Sequence, residues 1–156
     1  MVTLPQISID TEKGLDMCFA CGKNNPIGLK LKFERHGNTT RTEFTPTKLY
    51  QGWVNIVHGG IIHCLLDEAM SYAAIFEGMN CLTAKTEFRL RRPALIGEPL
   101  IITASATKVT KRLIETEAQV SLKDGTIIAE GTAKMFVIGK ARVNLSNKKD
   151  KPKSDA

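Results

Sequence analysis

Val57-His58-Gly59-Gly60-Ile61-Ile62-His63-Cys64-Leu65-Leu66-Asp67-Glu68-Ala69-Met70 is the stretch whose reading decides the fold. Ile61, Ile62, Leu65, Leu66, Ala69, Ala73 and Phe76 recur at helical spacing, and Gly78 supplies a stop. The spacing therefore predicts a helix over 58–76. Its other stripe reads Gly60, Cys64, Asp67, Ser71 and Ala74, with His63 beside it. The two glycines leave backbone N–H groups uncovered at the helix start, where four donors lack partners and the dipole is positive. A carboxylate two turns into an apolar helix costs free energy unless it is solvated or used. Such donors together with a carboxylate are equipment for attacking a carbonyl and stabilising an oxyanion.

On the N-terminal side, residues 1–27 read as an irregular arm broken at Pro5, Gly14, Gly22 and Pro26. A hairpin follows, with strict alternation over 29–34, a turn at Gly37-Asn38 and a return over 39–45. A loop carrying Tyr50, Gln51, Gly52, Trp53 and Asn55 leads to the helix. Beyond it come four strand candidates, 81–91, 99–108, 113–122 and 126–138. In the first, Leu82, Ala84, Thr86, Phe88 and Leu90 fall on one side, and Lys123-Asp124-Gly125 joins the last two as a hairpin turn. The order β-β-α-β-β-β-β with short turns requires antiparallel pairing. One long apolar helix against such a sheet implies an α+β fold in which a curved antiparallel sheet wraps the helix. Residues 28–138 form the single domain, and 139–156 a basic, disordered tail.

The chain has 156 residues, a formal net charge of +6, 42% hydrophobic and 24% charged residues, within the range of an ordinary globular domain. Lys140, Arg142, Lys148, Lys149, Lys151 and Lys153 concentrate the positive charge in the tail. With aromatic residues at 6%, no nucleic-acid partner is expected. Apolar runs are too short to span a bilayer and the N-terminus lacks the order of a secretory signal, so no membrane partner and a cytoplasmic location are expected. Cys18-Phe19-Ala20-Cys21-Gly22 has the spacing of half a zinc site. No second Cys or His pair follows at a usual distance, so a buried structural pair is expected and no metal, short of a site completed across a dimer.

Three stretches carry a family resemblance: Gly52 to Gly60 with Asp67-Glu68-Ala69; Phe88-Arg89-Leu90-Arg91-Arg92-Pro93-Ala94-Leu95-Ile96-Gly97; and Cys18 to Gly22 with Asn25-Pro26-Ile27-Gly28-Leu29. They resemble the hotdog-fold acyl-CoA thioesterases, in the branch with phenylacetyl-CoA and 4-hydroxybenzoyl-CoA thioesterases. The resemblance implies hydrolysis of an acyl-CoA thioester without any cofactor, coenzyme A being part of the substrate. It also implies a homodimer, or a dimer of dimers, with active sites between subunits. By position, Asp67 would be nucleophile or general base. The N–H of Gly59, or secondarily Gly60, would polarise the thioester carbonyl, His58 would order the loop, and Thr83 would help to position water. Some relatives carry an Asn where this chain has Gly52, with Asn55 and Gln51 the nearest substitutes. Some hotdog proteins only bind acyl-CoA, which keeps a non-catalytic binding module as the alternative.

The remaining candidates have two readings each. Arg89, Arg91 and Arg92 either form a solvated sheet face or contact coenzyme A phosphates, and Lys111 and Arg112 share that ambiguity. His63 stands one turn before Asp67 and could pair with it. Glu68 reads as a spare or solvated carboxylate on the helix flank. Trp53 and Tyr50 either line an acyl pocket or pack the loop.

Overall fold

In the computed structural model, residues 14–141 are described; the first thirteen residues and nearly all of the basic tail lie outside them. The elements are β1 (Glu34–His36), β2 (Thr39–Phe44), a 3-10 turn (Lys48–Tyr50), α1 (Gly59–Phe76), β3 (Met79–Leu90), β4 (Leu100–Val109), β5 (Leu113–Ser121) and β6 (Ile127–Lys140). They follow the order expected from the sequence. The strands form one antiparallel sheet in the order β1-β2-β4-β5-β6-β3, which leaves β1 and β3 at the edges. α1 packs on β2, β3, β4, β5 and β6, so the sheet curves around it.

The core is the interface between that helix and the sheet. Leu65, Leu66, Ala69, Met70 and Ala74 of α1 are fully buried against Leu100, Ile102, Ile114, Val120, Ala129 and Met135 of the strands. Ile62, Leu65, Leu66, Ala69 and Ala73 of the face read from the sequence are buried, while Ile61 and Phe76 are half-buried; Met70 and Ala74, the latter read on the opposite stripe, join the core. Burying a Leu, Ile or Met side chain contributes about 1.5–3 kcal/mol, so α1 is the main organiser of the domain.

Two local expectations need correction. Alternation over 29–34 predicts a strand, yet β1 begins only at Glu34. Leu29 and Leu31 are buried as the alternation requires, but their N–H groups donate to Phe19 O and Ala20 O of the arm, at 2.8 and 2.9 Å. Lys30 between them has φ 55°, a left-handed turn that no regular strand tolerates. Its Nζ donates to Lys23 O and Asn25 O at 3.0 and 2.8 Å. The period of two thus marks burial against the arm instead of pairing with β2.

The second correction concerns β3. Its register against β6 slips between Thr83 and Lys85, so Ala84 is an extra residue, a β-bulge. Leu82 and Ala84 therefore do not share a face with Thr86, Phe88 and Leu90. Before the bulge, Thr83 is the residue that reaches the helix; after it, Phe88 takes that position and stacks on His63 at 4.6 Å between ring centroids.

Candidate active site

The loop ahead of α1 is fastened at several points. The His58 N–H donates to Tyr50 O at 2.9 Å, Gly52 N–H to Ile56 O at 2.8 Å and Val57 N–H to Ala94 O at 2.9 Å. Asn55 sits at φ 63°, a conformation Asn tolerates well, and its N–H donates to Gln51 Oε1 at 3.0 Å. Gly52 packs closely: a Cβ there would stand 3.2 Å from His58 Cα, a tight contact. Glycine at this position lets the loop close against His58, while Gln51 is engaged in holding Asn55.

His58 caps α1. Its Nδ1 accepts from the Gly60 N–H at 2.9 Å, so the neutral imidazole carries its proton on Nε2. The Ile61 and Ile62 N–H groups both donate to His58 O, at 2.9 and 3.3 Å. Of the first-turn donors that leaves Gly59, whose N–H faces no acceptor among the described residues. Gly59 also lines a groove of about 850 Å³ at this end of the helix, with Gln51, Trp53, His58, Leu90, Arg91 and Arg92 around it. A free N–H at a helix N-terminus, opening on a groove, is a donor for a developing oxyanion. The sequence admitted Gly59 and Gly60 as donors; the cap engages Gly60.

Further along α1, Asp67 is half-buried and accepts from Thr83 Oγ1 at 3.0 Å. The bulge at Ala84 aims Thr83 at it, so a β3 hydroxyl orients the carboxylate. Eight residues at 1.5 Å rise separate Gly59 from Asp67, about 12 Å along the axis. A reacting carbonyl needs donor and attacking group each within about 3 Å. The Gly59 N–H and Asp67 of one chain therefore cannot serve the same carbonyl.

The other candidates separate. Arg91 and Arg92 line the groove, and Arg91 pairs with Glu130. Arg89 lies instead on the outer sheet face, beside Glu87, Glu130 and Thr132. Asn55 shapes the loop from outside the groove lining. Trp53 is 85% exposed at the groove mouth, whereas Tyr50 packs on Phe44. His63 is engaged with the Phe88 ring, and Asp67 with Thr83.

Glu68 departs most from its sequence reading. It is not a solvated flank residue: burial raises its carboxyl above the usual range, partly offset by hydrogen bonds from the Cys21 and Cys18 thiols. The Cys18 Sγ lies 3.6 Å from Glu68 Oε1. Burial likewise pushes Cys21 up, reinforced by its hydrogen bond to Glu68 and countered by one from the Tyr72 hydroxyl. Cys64, one turn before Glu68, is raised to about 11 by burial and then by the charges of Glu68, Asp67 and Cys18. Neither periodicity nor motif spacing could reveal this cluster, because a contact fifty residues apart in sequence makes it.

Comparisons with known proteins agree with this architecture. A family model described as the thioesterase superfamily matches residues 54–129, from the loop through α1 into β6. The structure of a thioesterase superfamily protein is 28% identical, with a TM-score of 0.74 over 86% of this chain and 72% of that one. A Streptococcus mutans protein bound to acetyl CoA superposes with a TM-score of 0.68 at 18% identity, covering 72% of this chain and 91% of its own. An uncharacterised Schizosaccharomyces pombe protein is 28% identical over 118 residues, 73% of this chain and 67% of its own length. A six-stranded antiparallel sheet wrapped on one long helix, together with these matches, gives the chain the hotdog fold found in proteins of the thioesterase superfamily.

Proposed function

We propose that the protein is an acyl-CoA thioesterase, of the phenylacetyl-CoA and 4-hydroxybenzoyl-CoA type, whose active sites are assembled between two copies of the chain. The observation that carries the reading is a pair of functional groups on one helix: the Gly59 N–H at its start, without an acceptor among the described residues, and the Thr83-held carboxylate of Asp67 two turns on. Their separation along α1 favours a composite site, with Gly59 from one copy and Asp67 from the other. β3 supports the pairing. Among the described residues it is a twelve-residue edge strand bonded on one side only, to β6. Long unprotected edges recruit another strand. An antiparallel β3–β3 contact would place the two helices in opposite directions, each Asp67 towards the other chain's helix start, with the two-fold symmetry common to homodimers.

In this reading the thioester oxygen accepts from Gly59 as charge develops. Asp67, oriented by Thr83, either draws a proton from the attacking water as the coenzyme A thiolate leaves, or attacks the carbonyl carbon and expels the thiolate to form a mixed anhydride that water then hydrolyses to the free acid. Arg91 and Arg92 at the groove suit the nucleotide phosphates, for which guanidinium geometry is apt. The coenzyme A ester seen with the Streptococcus mutans structure is consistent with that ligand class. No cofactor enters the reaction.

A panel of aromatic and aliphatic acyl-CoA esters, followed with a thiol reagent, tests the proposal. Release of coenzyme A from at least one ester, by a species of dimer mass or larger in light scattering, is the expected outcome. Tight binding of the esters without thiol release would instead favour a non-catalytic binding module. A strictly monomeric protein that still hydrolysed them would refute the composite site.

A further inference from the structure

We infer that Cys18, Cys21 and Glu68 form a binding site for a divalent cation of the zinc class, which pins the N-terminal arm to the central helix. The two sulfurs and a carboxylate oxygen lie mutually within 4.8 Å. The separation between Cys18 Sγ and Glu68 Oε1 is 3.6 Å. Tetrahedral zinc, with bonds of about 2.3 Å to thiolate and about 2.1 Å to carboxylate, holds such a pair of ligand atoms about 3.6 Å apart. One edge of the coordination polyhedron is therefore already at its bonded length, and small side-chain rotations close the others.

The surrounding backbone is arranged for the same purpose. The Cys21 N–H points at Cys18 Sγ, at 3.5 Å, and the Gly22 N–H donates to Cys18 O at 2.9 Å. A Cβ at Gly22 would stand 2.5 Å from both Asp16 O and the Cys18 nitrogen, so the knuckle closes only with glycine after the second cysteine. Hydrogen bonds like that from the Cys21 N–H orient the ligands of a metal and stabilise the thiolate form. Two thiolates and a carboxylate select zinc over magnesium or calcium, and three protein donors leave one coordination position for water. The sequence offered half of this site; the helix supplies the third donor. Asp67, next in sequence to Glu68, turns away to Thr83 and takes no part.

Cobalt titration of the full chain, reduced and stripped with a chelator, tests the inference. One cobalt per chain is expected, with thiolate-to-cobalt charge transfer in the near ultraviolet and the intense visible bands of a tetrahedral ion, both abolished by zinc. Cys18→Ser and Glu68→Gln should each weaken binding at least about tenfold, while Cys81→Ser, away from the cluster on β3, should leave it unchanged. Wild-type protein without the thiolate band at saturating cobalt would overturn the site. Undiminished affinity in Glu68→Gln would overturn the assignment of the carboxylate.

Discussion

Asp67→Asn is expected to lower kcat for acyl-CoA hydrolysis by about a hundred- to ten-thousand-fold, the span a positioned base supplies. The substitution keeps the shape of the side chain and leaves an amide oxygen to accept from Thr83 Oγ1, now 3.0 Å from Asp67 Oδ1. It removes the charge and the basic lone pair that attack the carbonyl or water. Asp67 lies outside the buried helix face of Leu65, Leu66, Ala69 and Met70, so the melting temperature and the KM for the ester should stay close to wild type. The split between kcat and KM identifies the residue as chemical instead of structural. Thiol release measured beside a thermal melt makes the check. A folded Asp67→Asn protein with full turnover would remove Asp67 from the mechanism.

What the sequence conveyed about this site, and what it withheld, follows the range of the interactions. The helix was legible because its signals are local: a glycine pair at its start and apolar residues at 61, 62, 65, 66, 69 and 73 on one face. The four strands after it were legible through alternation and turn residues, and their ends moved by only a residue or two. Misreadings arose where a distant backbone competes for a hydrogen bond. The alternation at Leu29 and Leu31 was real, but its partners are carbonyls of Phe19 and Ala20. The bulge at Ala84 has no mark in sequence, yet it decides that Thr83 meets Asp67. The choice between Gly59 and Gly60 was equally invisible until the His58 ring was seen to occupy one of the two donors. Glu68 looked like a flank residue because the arm that covers it is fifty residues away.

Gly59→Pro is the complementary experiment, expected to lower kcat by about a hundred- to a thousand-fold, the usual effect of losing one oxyanion donor. Proline is well suited to the first helical position: its fixed φ is already helical and its missing N–H would have had no partner inside the helix. The residue before a proline must be extended, and His58 has φ −58° and ψ 133°. A Cβ at Gly59 meets only Leu90 Cδ1, at an ordinary 3.5 Å. The helix should therefore persist, with thermal stability unchanged or slightly higher, while the Gly59 N–H, which has no acceptor among the described residues, is deleted. Full activity in a folded Gly59→Pro protein would exclude this amide as the oxyanion donor. Mixing the two inactive variants tests the composite site directly. After subunit exchange, half of the dimers should carry one of each chain, and each mixed dimer would hold one site with both wild-type groups and one with neither. Activity should recover to about a quarter of wild type by that count. A site confined to one chain predicts no recovery, because every chain in the mixture lacks either the donor or the carboxylate.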